Sequence, residues 1–359
     1  MNSKLHQIQA AVLRTGGPIQ IESLDLEGPR DDEVLVRLAA SGICHTDIDF
    51  IDDWTGPPVV LGHEGAGVAA EVGQGVKGVQ PGDHVVLSYQ SCGRCPPCRR
   101  GHPTACERFW DANFGFQRLD GSNAYANGVQ GHFFGQSSFA THTLATTRNL
   151  VKVPPDLPIK LLAPLGCGLQ TGAGTVFNSL KVPQGSSLAV FGTGAVGLAA
   201  VMAARLAGAN PIIAVDLKPG RLDLALELGA THVINSARED VVSRVQAVTG
   251  RGVDYVLEIT GSAEMYQAAV EVLNPQGTVA LIAHPGGGGS LPGGRKILGI
   301  IQGDAVPQKF IPKLIALYQA GQFPFDRLLK FYDFQEINRA MADARRGDTI
   351  KPVLQISAD

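Results

Sequence analysis

Apolar positions in the first third of the chain alternate or run in short stretches between turn residues. AAVLR (10–14), IQIESLDL (19–26), EVLVRLAASGIC (33–44), GAGVAAEVG (65–73) and PGDHVVLS (81–88) are broken by Gly, Pro and Asp. Such spacing predicts short strands, and many of them close together predict an irregular, barrel-like β domain. Residues 107–137, rich in Gly, Asn and aromatics, read as one long loop. From about residue 157 the pattern changes. LAVFG (188–192) has the form of a short buried strand and leads straight into a helical stretch, AVGLAAVMAARLAGA. IIAVD, HVIN, VDYVLEITG, GTVALIA and KILGIIQGD follow as strands, with helices predicted at RLDLALELGA, DVVSRVQAVTG and AEMYQAAVEVLN. Strands alternating with helices predict a parallel, doubly wound sheet of about six strands.

After Gly303 two amphipathic helices are predicted, VPQKFIPKLIALYQAG and FQEINRAMADARRG. The last strand, KPVLQIS, does not extend the alternation and is expected to rejoin the first domain. The chain is therefore read as an α/β protein of two domains. Residues 1–157 and 305–359 form the β-rich one, and 158–304 the doubly wound one. A glycine-rich stretch at 284–294 is read as a flexible loop.

Composition narrows the function. With 44% hydrophobic and 18% charged residues and a formal net charge of −3, the chain is ordinary for a globular protein and offers nucleic acid no basic surface. No apolar run of about 18 residues is present, so no membrane span is predicted. The N-terminal residues lack the apolar core of a secretory signal, and a cytoplasmic protein is expected.

Gly192-Thr193-Gly194-Ala195-Val196-Gly197 matches G-x-G-x-x-G between a predicted strand and a predicted helix. The next strand ends in Asp216, which completes the context of a dinucleotide fingerprint. Gly192 permits the tight turn, Gly194 the approach of the pyrophosphate, and Gly197 close helix–strand packing. Asp216 is suited to accept from ribose hydroxyls and to repel a 2′-phosphate, which favours NAD over NADP. Lys218 and Arg221 nearby soften that preference.

Six cysteines fall into two groups. Cys92, Cys95, Cys98 and Cys106 are spaced as four thiolates of a closed structural zinc. An iron–sulfur cluster or disulfides could use the same residues. Cys44, His63 and Cys167 lie in three glycine-flanked segments, and two thiolates with one imidazole would leave a zinc one open position. Spacing alone cannot bring these three together.

CHTD, GHEGAG, the four-cysteine segment and GTGAVG occur in the order found in zinc-containing medium-chain alcohol dehydrogenases, which the chain resembles along its whole length. HFFGQSSFA and PLGCGLQTGAG resemble the aryl-alcohol and allylic terpene-alcohol members. The resemblance implies a GroES-like catalytic domain beside a Rossmann domain, two zinc ions per chain, NAD, and a homodimer or homotetramer. It implies oxidation of primary aryl or allylic alcohols to aldehydes, reversibly. It also assigns roles: Cys44, His63 and Cys167 as catalytic-zinc ligands, Glu64 beside the metal, Asp47 orienting His63, and Thr46 meeting the alcohol oxygen. Toward the cofactor, the resemblance implies His45 and Lys351 at the pyrophosphate, Thr171 and Val196 at the nicotinamide, and Arg221 at the adenosine ribose.

One position departs from the pattern. Asp49 stands where relatives end the proton relay with a histidine, so either Asp49 or solvent takes the proton. Trp54, Tyr89, Trp110, Phe133 and Phe134 are candidate pocket aromatics. Two other readings stand beside this one: a short-chain alcohol or polyol dehydrogenase of the same superfamily, and an NAD-binding zinc protein without turnover.

Overall fold

The computed structural model describes residues 4–282 and 291–357. The expected glycine-rich loop at 284–294 lies for the most part outside the described residues. The chain divides into two compact units, one of residues 1–167, 306–313 and 326–359, the other of 168–305 and 314–325. The segment 158–167 thus groups with the first unit. Gly166 explains why: a Cβ there would stand 2.0 Å from the Leu87 carbonyl, and the Ser88 hydroxyl donates to the Gly166 carbonyl at 2.6 Å. Segment 314–325 groups with the second unit, where the Gln322 carbonyl accepts from Arg205 at 2.9 Å.

The strands are β1 (Leu5–Leu13), β2 (Gln20–Glu27), β3 (Glu33–Gly42), β4 (Val59–Val60), β5 (Glu64–Val72), β6 (His84–Leu87), β7 (His142–Thr146), β8 (Leu150–Lys152), β9 (Leu188–Phe191), β10 (Ile212–Asp216), β11 (His232–Asn235), β12 (Val253–Glu258), β13 (Leu273–Leu281), β14 (Lys296–Gly299), β15 (Leu329–Asp333) and β16 (Lys351–Gln355). In the first unit, β2, β1 and β4 form a small antiparallel sheet. A larger one runs β15-β16-β3-β5-β6-β8, with β7 also on β3. The C-terminal strand β16 does return to the first unit, antiparallel to β3. Val34, Val36 and Leu38 of β3 pack with Val85, Leu87 and Leu150 in its core.

The second unit is a six-stranded sheet, order β11-β10-β9-β12-β13-β14, parallel throughout. The central strands β9 and β10 are buried on both faces, as their unbroken apolar runs require, while the edge strands β11 and β14 are partly exposed. The helix Ala195–Ala207 ends on Gly208, and Pro219–Leu228 ends on Gly229, both at positive φ, where glycine carries no Cβ clash.

Local details differ from the sequence expectation. The long loop at 107–137 contains a helix, Phe109–Phe114, and a 3-10 turn, Phe133–Gly135. Strand β13 starts at Leu273 rather than near Gly277, because the pairing with β12 shifts register between Val253 and Tyr255. Strands β7, β8 and β15 are short and carry polar residues, so their hydrophobic period was too weak to single them out.

Candidate active site

The helix His45–Asp53 begins at Cys44 and carries Thr46, Asp47 and Asp49 on its first turns. Asp47 is buried and caps the helix by accepting from the Cys44 backbone N–H at 2.9 Å. Its other oxygen accepts from the Gly62 N–H at 3.2 Å and stands 3.0 Å from His63 Nδ1. Gly62 sits at φ +89, and a Cβ on it would meet Phe139 at 2.6 Å, so the turn that delivers His63 requires glycine. Gln136 braces the same turn: its amide donates to the carbonyls of His63 and Ser88 and accepts from Gly65 N–H.

These constraints bring together residues far apart in sequence. Single ligand atoms of Cys44, His63, Glu64 and Cys167 all lie within 4.8 Å of one another. With Nδ1 on Asp47, His63 turns Nε2 into this cluster, where it is buried without a hydrogen-bond partner. A buried imidazole nitrogen with no partner is costly. Beside two thiols it is what a tetrahedral zinc of Cys₂His type needs, so the residues fit the metal. The electrostatics agree. Cys44 lies well below the usual thiol range, because the neighbouring Cys167 and the positive His63 ring favour its thiolate against the opposing effect of burial. Burial opposes charge on His63, but the Asp47 carboxylate outweighs it and lifts the ring to about 10.

Glu64 is fully buried, and burial pushes its carboxyl up against the pull of Lys351. Lys351 gives its three donors to both Glu64 oxygens and the Ile43 carbonyl, each at 2.9 Å. An ammonium has three donors, and in this structure Lys351 gives all of them to Glu64 and the Ile43 carbonyl. Thr46 Oγ1 is 3.9 Å from Cys44 Sγ. His45 is exposed and pairs with Asp49 at 3.4 Å on the helix surface.

Aromatic rings surround His63. Phe134 stacks on it at 4.3 Å between centroids, and Phe133 meets it edge-on at 5.5 Å. Phe50 stacks on Phe114 at 5.5 Å and Phe116 on Phe133 at 5.6 Å, and Trp54 abuts Phe116 at 4.9 Å. The sequence reading named Trp54, Phe133 and Phe134 but missed Phe50, Phe114, Phe116 and the bracing Gln136. Phe116 and Phe134 hold positive φ, a conformation that bulky residues rarely adopt and that no sequence pattern marks. Tyr89 is buried against Phe109, while Trp110 is largely exposed and tilts onto Phe114.

The second cysteine set is also assembled. The sulfurs of Cys92, Cys95, Cys98 and Cys106 lie within 4.8 Å of one another, and all six cysteines are free thiols. Burial opposes ionisation of Cys92, but the N–H groups of Arg94 and Cys95 bring its thiol down to about 6. Burial lifts Cys106 to about 12, the kind of cost that a bound cation removes.

In the second unit Gly192 lies at φ +94 in the turn after β9, and a Cβ on Gly197 would stand 1.9 Å from the Gly192 carbonyl. Nothing lies within 4 Å of a Cβ on Gly194, where a phosphate would approach. Asp216 ends β10 and accepts from Thr193 and from the Lys218 N–H, with Arg221 at 3.9 Å. Gly172 packs against the Val196 carbonyl, which sets Thr171 beside the start of the same helix.

Two family models match: the alcohol dehydrogenase GroES-like domain over residues 30–155 and the zinc-binding dehydrogenase over 195–317. A geraniol dehydrogenase of Castellaniella defragrans is 45% identical, over 96% of this chain and 97% of its own. The chain belongs to the zinc-dependent alcohol dehydrogenases. Solved structures agree. Benzyl alcohol dehydrogenase from Acinetobacter calcoaceticus superposes with a TM-score of 0.95 at 46% identity, over 98% of this chain and 100% of that one. An alcohol dehydrogenase zinc-binding domain protein from Burkholderia ambifaria gives 0.95 at 49% identity, over 99% and 100%. This dehydrogenase therefore combines a GroES-like unit with a Rossmann unit, and its cofactors are zinc and NAD. No helix among the described residues is long and apolar enough to cross a membrane.

Proposed function

We propose that this dehydrogenase oxidises primary aryl or allylic alcohols to aldehydes, reversibly, with NAD. The observation that carries the reading is the set of phenylalanine rings against the zinc-ligand His63. A flat, unsaturated alcohol gains stacking and apolar burial there that ethanol is too small, and sorbitol too polar, to gain. The names of the geraniol and benzyl alcohol relatives support the same substrate class.

In this reading Cys44, His63 and Cys167 hold one zinc, and Cys92, Cys95, Cys98 and Cys106 hold a second, structural one. A zinc at the first set supplies Lewis-acid polarisation of the alcohol oxygen, and NAD supplies the hydride acceptor. Asp47 fixes the His63 tautomer, so that Nε2 is the nitrogen offered to the metal. Glu64, held by Lys351, stays ready beside the cluster. Thr46 accepts the hydrogen bond of the alcohol hydroxyl and passes its proton outward, and Asp49 receives it. His45 is placed for the pyrophosphate. Thr171 and Val196 support the nicotinamide, while Asp216 and Arg221 meet the adenosine ribose. The residues of the two functions divide as 1–167 with 306–313 and 326–359, and 168–305 with 314–325. A homodimer or homotetramer in the cytoplasm, where six free thiols stay reduced, completes the proposal.

Initial rates followed at the NADH absorbance band test the substrate class. The expected order of kcat/KM is benzyl alcohol and geraniol above ethanol, by about a hundredfold or more, with sorbitol inactive. Equal rates on ethanol and benzyl alcohol would favour the short-chain reading.

A further inference from the structure

The Asp216 carboxylate is not held by the strand that carries it. Its Oδ2 accepts from the Thr193 backbone N–H at 2.7 Å and from the Thr193 hydroxyl at 2.8 Å, while Oδ1 accepts from the Lys218 N–H at 2.9 Å. Thr193 is fully buried. A hydroxyl has one proton to give, and here it goes to the oxygen nearest Arg221, whose Nη1 stands 3.9 Å away, beyond hydrogen-bond distance. The threonine thus occupies the direction in which the carboxylate would otherwise turn to form a close ion pair.

We propose that Thr193, the residue between the first two glycines of the fingerprint, is a positioning residue for dinucleotide choice. Three donors from the chain fill three of the roughly four acceptor directions of the carboxylate and lock its rotamer. The direction left is the one a ribose hydroxyl takes. Locked away from Arg221, the carboxylate keeps its negative charge directed at the ribose and repels a 2′-phosphate. Released, it swings onto the guanidinium, and each charge screens the other. Recognition of the ribose diol then weakens and the barrier to a phosphorylated ribose falls.

The inference rests on the reading of Asp216 as the ribose acceptor, and the test separates the two. Dissociation constants for NADH and NADPH are measured by fluorescence titration on the full-length protein, with circular dichroism to check folding. Thr193→Val, close in shape but without the donor, is expected to weaken NADH about tenfold, as loss of a hydrogen bond to a charged group does, and to narrow the NADH-over-NADPH preference. Thr193→Ser restores the hydroxyl and both values. Thr193→Ala, smaller and easier to accommodate, serves in its place should the valine variant not fold, and is expected to behave as valine. Asp216→Asn is the control. If it leaves the preference unchanged, the ribose reading fails. If it changes the preference while the valine and alanine variants do not, or if serine behaves as valine, the role of Thr193 is overturned.

Discussion

At the scale of single residues, the site depends on which atom each side chain has left to offer. Asp47 uses one oxygen as a helix cap and the other to hold His63, so a single carboxylate sets both the helix start and the imidazole tautomer. His132 is buried, and its Nε2 accepts from the Ala124 N–H. Asp49 is the proposed proton acceptor, and its surroundings bear on the proton exit. Its side chain is largely exposed, yet the desolvation it does meet raises its carboxyl above the usual value, against the pull of His45. A raised carboxyl stays protonated to a higher pH, and only the ionised form can receive the alcohol proton. Alcohol oxidation should therefore fall on the acid side as pH drops through the raised value. In Asp49→Asn this acid limb should disappear and kcat should drop by about a hundredfold, the usual scale of a general base. A pH–rate profile identical to that of the parent protein would assign the proton to solvent.

Among the elements, close approach matters more than propensity. The helix Ala195–Ala207 sits against its strand only because Gly197 has no Cβ; a methyl there would lie 1.9 Å from the Gly192 carbonyl. Gly197→Ala should push the helix N-terminus off the turn where the phosphates bind. We expect NADH affinity to fall by tenfold or more in titration and the melting temperature to drop by several degrees. Unchanged binding would show that the turn tolerates the displacement. The 3-10 turn Phe133–Gly135 makes the opposite point. There His132 and Phe134 take up left-handed backbone, and the Asn149 amide donates to the carbonyls of Phe134 and Gly135. The strain is held by surrounding contacts and places a ring on His63.

For the whole molecule, the two cysteine sets should behave differently under chelation. In the proposed reading the Cys44, His63 and Cys167 set would leave a zinc one position for substrate, whereas the four-cysteine set would close around its metal. A strong chelator should remove one zinc per chain first and abolish activity, with the far-ultraviolet circular dichroism unchanged. Removal of the second should lower the melting temperature, because a structural zinc held by the four cysteines would contribute its binding free energy to folding. Zinc analysis alongside activity checks this, and full activity with fewer than two zinc per chain would contradict it. Much of the molecule was legible along the chain. The six-strand alternation, the fingerprint with Asp216 and the four-cysteine spacing are local patterns whose period or separation is itself the physical signal. The register shift in β13, the short polar strands and the ring cluster around His63 were not, because each depends on a neighbour distant in sequence. Cys44, His63 and Cys167 show the division best. The sequence determined their chemistry and their number, and family resemblance grouped them. Only the tertiary structure, through the Asp47 bridge, the glycine turn at 62 and Gly166 against Leu87, decided that three separated segments meet with His63 Nε2 turned inward. Hydrogen bonds and steric fit across long loops carry no periodicity for a linear reading to detect.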